Sequence, residues 1–175
     1  SDGTLAANVN SPSERPDIET SLDQLRDELP ACGAVSLVVS WFGDDLRCGD
    51  CTIRPKYERP EAEADDMPWS VAGLSRATAQ QVPVEEGRPV YGGTPTDRSV
   101  VQAIRHARDR GLEVVYYPFI LMDQMPGNAL PDPYGGTEQA RLPWRGRITA
   151  SPAPGQVGTP DGTAQVDAEV ADFFG

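Results

Sequence analysis

Two stretches of the chain, residues 34–42 (AVSLVVSWF) and 112–121 (LEVVYYPFIL), are nearly free of charge and rich in valine and aromatic residues. A strand that lacks polar alternation has to be covered on both faces, and such strands belong to parallel sheets flanked by helices. The surrounding sequence supplies helices. Ile18, Leu22, Leu25 and Leu29 recur at i, i+4, i+7 and i+11, so residues 17–29 predict an amphipathic helix with a single apolar stripe. Pro16 precedes this helix, Asp17 is placed to cap its free amides, and Pro30 with Gly33 ends it.

A second unit follows. Residues 90–93 predict a short strand, residues 94–97 a turn in which Thr96 or Asp97 can cap the helix that then runs to about Arg110, burying Val100, Val101, Ile104 and Ala107. Gly111 supplies a left-handed stop, and the run at 112–121 is the next strand, with Pro118 marking an end or a bend. Strand, helix and strand in that order make a βαβ unit. Residues 147–150 predict a further short strand, and residues 164–174 a helix that uses Val166, Val170, Phe173 and Phe174. The strand–helix pattern recurs three times without a fixed sequence period. A closed (β/α)8 barrel needs about 250 residues and rarely fewer than about 200, so a chain of 175 residues has room for three or four such units.

Composition narrows the partners. Lys and Arg number 15 against 27 for Asp and Glu, a formal net charge of −12, which argues against nucleic acid or an anionic membrane surface. No apolar run approaches the length of a membrane span, and the N-terminus has no signal-peptide pattern. The chain begins at Ser1 rather than Met, and the expectation is a processed protein or a segment of a longer one. Gly and Pro contribute 17 residues each, together well above the roughly 12 % of ordinary globular chains. They gather in two long irregular segments, about 43–88 and 122–145, the first of which holds the acidic stretch 61–66. Connections of that length are functional or embellishments.

Cys48 and Cys51 form a C-x-x-C pair that could share a metal or act as a redox couple. A zinc site needs two more ligands, and the sequence offers only Cys32 and the single His106, inside a predicted helix. Two free thiols or a local disulfide in an oxidising compartment are the plainer readings, and His106 reads as a solvated helix residue. Trp41, Asp44 and Asp45 follow directly on the first strand, where the C-terminal rim of an α/β barrel builds its sites. An aromatic ring can pack on a pyranose while a carboxylate binds hydroxyls. Turn-forming aspartates beside Gly43 are the alternative reading. Tyr117 and Asp123 stand in the same relation to the second strand, and Trp144 with Arg145 places a ring beside a guanidinium. No Gly-rich phosphate loop and no nucleophile elbow is present.

The stretch 93–119 (GTPTDRSVVQAIRHARDRGLEVVYYPF) resembles the G-T-P-x-D segment and following helix and strand of barrel glycoside hydrolases, and 143–148 (PWRGRI) resembles their W-R-G-x-I segment. Together with 7–12 (ANVNSP), 36–49 (SLVVSWFGDDLRCG), 67–74 (MPWSVAGL) and 116–123 (YYPFILMD), the chain resembles the glycoside-hydrolase-like TIM-barrel domain of the tail-tip protein of gene transfer agents, phage-like particles of bacteria.

The resemblance implies an α/β fold: the N-terminal portion of a (β/α)8 TIM barrel spanning 1–175 as one domain, with long loop insertions at about 43–88 and 122–145. It implies a tail-tip segment that contacts or acts on glycan of the recipient cell envelope, works in a virion-like particle beside other tail proteins, and uses no cofactor or metal. Trp41, Asp44, Asp45, Tyr117, Asp123, Trp144 and Arg145 are the candidate saccharide contacts at the barrel mouth. In hydrolases of this kind the two catalytic carboxylates lie on the fourth and seventh strands, which would fall beyond Gly175, so this segment alone is expected to be inactive. An incomplete barrel would also leave open sheet edges and be prone to aggregate. The alternatives are a true glycoside hydrolase whose carboxylates lie beyond residue 175, and a small α/β protein with a metal or redox site at Cys48 and Cys51.

Overall fold

A computed structural model describes residues 9–60 and 67–175; the start of the 7–12 motif and the acidic stretch 61–66 lie outside the described residues. Helix α1 spans Asp17–Glu28 and is followed by strand β1, Ala34–Gly43. Strands β2 (Ile53–Arg54), β3 (Lys56–Tyr57), β4 (Ser70–Val71), β5 (Leu74–Ser75), β6 (Gln80–Gln81), β7 (Val84–Glu85) and β8 (Arg88–Pro89) come next, each two residues long. Helix α2 (Asp97–Asp109), strand β9 (Glu113–Met122), a 3-10 turn at Arg145–Arg147 and helix α3 (Ala164–Phe174) complete the order.

The two charge-poor stretches pair with each other. β1 and β9 run parallel over their full length, from Ala34 opposite Glu113 to Gly43 opposite Met122. One face of this pair is covered by helices: Leu22, Ala107 and Leu112 form a buried cluster against which Ile18, Leu25, Val35 and Val114 pack. Burying a side chain such as Leu22 stabilises the fold by about 1.5–3 kcal/mol. An ion pair between Arg110 Nε and Asp23 Oδ1, 2.6 Å apart, links α2 to α1 beside that cluster. The other face is open near its start, where Val38 is 55 % and Val115 58 % exposed. The expectation that 34–42 is buried on both faces therefore fails on one of them.

The expected barrel portion is not what forms. The described residues hold three helices and sheets of two or three strands, with β2–β1–β9 the largest, and nothing closes into a barrel. Closure requires successive long strands at a constant stagger, and only β1 and β9 are long. Residues 90–93, expected as a strand, form a bend, so β9 takes β1 as its partner instead. The recurring strand–helix unit thus occurs once, as β1–α2–β9. β2 meets β1 antiparallel only at Phe42 and Gly43, and the other short strands make separate two-stranded pairs. Two of these are hairpins: Val71 to Leu74 turns through Ala72 and Gly73, and Glu85 to Arg88 through Glu86 and Gly87, with φ positive at all four turn residues. That is the backbone of a type I′ turn, whose twist matches the flanking strands.

Local expectations fare unevenly. Gly111 takes φ of +73° and ends α2 as the sequence predicts. Pro118 neither ends nor bends β9, which runs through it to Met122; among the described residues β9 is a sheet edge, where a proline nitrogen facing outward costs no ladder bond. Asp17 does not cap α1; its carboxylate accepts from the Asn10 amide N–H at 2.8 Å and from Asn10 Nδ2 at 2.7 Å, tying down the preceding segment. Thr96 and Asp97 likewise use their oxygens on Ser70 N at 3.1 Å and Ala72 N at 3.0 Å, clipping the β4–β5 hairpin to the start of α2. α2 buries Ala103 and Ala107, whereas Val101 is exposed. Residues 147–150 form no strand beyond an isolated bridge from Thr149 to Arg47. α3 fully buries none of its residues: of its expected apolar stripe Val166 and Phe173 are half-buried, and Val170 and Phe174 are exposed.

Candidate functional site

The parallel register brings the residues that follow β1 beside those that follow β9, and Asp123 N donates to Gly43 O at 3.2 Å to extend the pairing. The aspartates gathered here take different roles. Asp44 accepts from Thr52 N at 2.7 Å and from Thr52 Oγ1 at 2.5 Å, closing the 44–52 loop. Asp45 is buried and holds Arg47 through its backbone N–H at 2.8 Å, Nε at 3.1 Å and Nη2 at 2.7 Å. Asp123 is buried in direct contact with the ammonium of Lys56, which is itself buried.

Gln139 joins these pieces. Its Nε2 donates to Asp45 Oδ1 at 2.7 Å and to Pro131 O at 3.0 Å, while its Oε1 accepts from Leu46 N at 2.9 Å and from Gln124 Nε2 at 3.3 Å. Phe42, Leu46 and Met122 pack among these groups as a second core, fully buried. Tyr91 leans on Phe42 and donates its hydroxyl to Met122 O at 3.3 Å. Burial pushes the Tyr91 phenol above its ordinary value, with Arg141 opposing and Asp123 adding to the effect. Gly93 is required at the edge of this core, because a Cβ there would come within 2.6 Å of Glu58 N and 2.8 Å of Lys56 O.

Burial alone would raise the carboxyl of Asp45, but the hydrogen bonds from Arg47 and Gln139 outweigh it and hold Asp45 below the ordinary carboxylate range. A folded-state value below the unfolded one contributes stability at neutral pH that is lost as pH falls through the folded value. Asp45→Asn is therefore expected to lower the thermal midpoint at pH 7 and to differ less and less from the parent below about pH 4. Melting curves from pH 7 to pH 3 check this, and a pH-independent difference would contradict it.

The remaining candidates sit elsewhere. Tyr117 and Phe119 alternate with Pro118 on β9 and meet edge to face, ring centres 5.8 Å apart. Arg145, from the 3-10 turn, lies over Phe119 with its Cζ 4.0 Å from the ring centre and donates from Nη2 to Tyr117 Oη at 3.2 Å. Trp144 precedes it, 67 % exposed. A Cβ on Gly146 would fall 2.5 Å from Trp144 Cη2, so the indole rests on the Gly146 backbone and shows its outer face to solvent. Beside this patch, Arg147 stacks on Tyr134 at 4.1 Å. Trp41 is half-buried opposite Ile120, and strand alternation puts it on the other face from Val38, the register partner of Tyr117.

The structure thus brings together Tyr117 and Arg145, with Trp144 next to Arg145 in the chain, adds Phe119, which the sequence reading passed over, and uses Asp44, Asp45 and Asp123 in loop and core. Phe119 had a signal, since it stands two residues from Tyr117 on one strand face. His106 Nε2 lies 3.3 Å from Glu19 Oε1 across the α1–α2 contact, half-buried rather than solvated. A cleft of about 260 Å³ beside it, lined by Ile18, Leu37, Val39, Val100 and Ala103, is mainly apolar.

Cys48 and Cys51 are free thiols. Burial pushes Cys51 up to about 11, and burial with the nearby Glu169 charge pushes Cys48 up as well. Metal binding and thiol exchange use the thiolate, which this setting disfavours. Cys48 Sγ instead donates to Glu169 O at 3.7 Å, joining α3 to the loop. Among the described residues no group of three or more His, Cys, Asp or Glu is arranged to hold a metal ion, and no helix is long and apolar enough to cross a membrane. Compared with known proteins, the chain matches no family model and no curated protein.

Proposed function

We propose that this chain is a glycan-binding segment of a phage-tail-like tail-tip protein, which contacts polysaccharide of the recipient cell envelope and assembles with other tail proteins. The observation that carries this reading is the exposed Tyr117 ring bonded to the half-buried Arg145, with the exposed Trp144 next to it in the chain. Exposed rings beside a guanidinium suit a sugar, whose CH face packs on an aromatic surface while its hydroxyls take hydrogen bonds. All three residues lie in the segments that resemble the tail-tip domain. Binding is favoured over hydrolysis at Asp45 and Asp123, which are buried and paired with Arg47 and Lys56 and so are not presented to a saccharide as the acid and nucleophile of a retaining glycosidase would be.

The test is co-sedimentation of the protein with insoluble bacterial envelope polysaccharide. Trp144→Ala and Tyr117→Ala are expected to lower affinity at least about tenfold, as loss of an aromatic anchor does. Trp144 is mostly exposed, so its variant should melt like the parent. Unchanged sedimentation of both variants would overturn the reading.

A further inference from the structure

Resting on the glycan-binding function proposed above, we infer that the ligand of the Tyr117–Trp144–Arg145 patch is an anionic saccharide, one that carries a carboxylate. In a chain with 27 acidic and 15 basic residues, carboxylates are the abundant partner for any guanidinium. Arg15, Arg47, Arg59, Arg110 and Arg141 each meet one at 2.6–3.4 Å. Arg145 does not. It is half-buried and is held in place by a ring and a phenol, Phe119 at 4.0 Å and Tyr117 Oη at 3.2 Å, with no carboxylate in ion-pair range among the described residues.

An exposed arginine without a partner is ordinary. An arginine positioned without one is a different case, because the cost of ordering the side chain is met before any anion arrives. A guanidinium has five N–H donors in a planar fork that matches a carboxylate bidentately, and it stacks on aromatic faces while doing so. Stacking on Phe119 uses the face of the fork and Tyr117 one of its donors, which leaves donors along its edge for a ligand. Trp144, directly adjacent in sequence and exposed, offers the ring surface for the pyranose bearing that carboxylate. Arg147, stacked on Tyr134 at 4.1 Å in the same turn, adds a second positive charge without an ion-pair partner among the described residues. A neutral sugar would make no use of this local excess of positive charge.

The experiment titrates the protein with trigalacturonate and, separately, with its fully methyl-esterified form, by isothermal calorimetry. The acid is expected to bind about tenfold tighter than the ester, the scale of a charge-assisted hydrogen-bond pair. In Arg145→Gln the acid-to-ester ratio should fall to about one, and Arg145→Lys, which keeps the charge and loses the fork, should restore part of it. Trp144→Ala should weaken acid and ester alike. Equal affinity for the two probes in the parent, or a ratio unmoved by Arg145→Gln, would overturn the anionic assignment. So would failure of both probes to bind while envelope polysaccharide still sediments the protein, an outcome that leaves the glycan-binding function standing. Loss of polysaccharide binding as well would remove both.

Discussion

Lys56→Met is expected to destabilise the protein by about 3–5 kcal/mol, the cost of leaving a buried charge without its partner. Asp123 Oδ2 has no hydrogen-bond partner among the described residues apart from the Lys56 ammonium, and the two side chains are 6 % and 10 % exposed. Methionine keeps the length and apolar stem of lysine, so what is lost is charge and not volume. The double variant Lys56→Met/Asp123→Leu should recover most of the loss, because a buried ion pair replaced by apolar groups of similar size is often neutral. Thermal melts read the effect directly, at about 2–4 °C per kcal/mol for a chain of this size. A single variant within about 1 kcal/mol of the parent would show that the pair does not hold β3 against the end of β9.

The second large effect belongs to Gln139. It is 1 % exposed and bonds Asp45, Leu46, Pro131 and Gln124 at once. Gln139→Leu would strand the Leu46 N–H and the Pro131 carbonyl and take one donor from Asp45, a loss on the order of 3 kcal/mol. Gln139→Glu is more informative. It keeps the acceptor for Leu46 N–H but sets a second carboxylate against Asp45, so burial and like charge would raise the value of the new group in the folded state. A group with a raised folded value favours folding when protonated and loses that contribution as pH rises. Gln139→Glu should therefore be most destabilising at neutral pH and approach the parent toward pH 4, whereas Gln139→Leu should show no such recovery. Parallel pH dependence of the two variants would contradict the network.

Some of this was legible in the sequence. α1, α2, α3 and the stop at Gly111 follow from periodicity and from a residue without a Cβ, both local properties of the chain. The hairpins at Ala72–Gly73 and Glu86–Gly87 left a weaker trace, since the residue before glycine is neither Asn nor Asp, the usual marks of such a turn. Capping was misassigned for a physical reason: Asp17, Thr96 and Asp97 are acceptors that any nearby N–H can use, and the segments that reached them, around Asn10 and Ser70, are set by tertiary approach. The candidate site divided in the same way. Asp44 and Asp45 are neighbours in sequence and diverge in space, because one finds Thr52 and the other finds Gln139, 94 residues away.

By itself the sequence determined the three helices and the two long strands, the acidic balance, and which aromatic and arginine residues stand near strand ends. Only the tertiary structure decided that β9 pairs with β1, that the sheet stops at two long strands without closing, and that Tyr117 and Arg145 come together while the aspartates are used internally. The reason is that helix periodicity and turn chemistry act over a few residues, whereas strand pairing and ion pairing join groups far apart in the chain. Their outcome depends on which competing partner arrives in place.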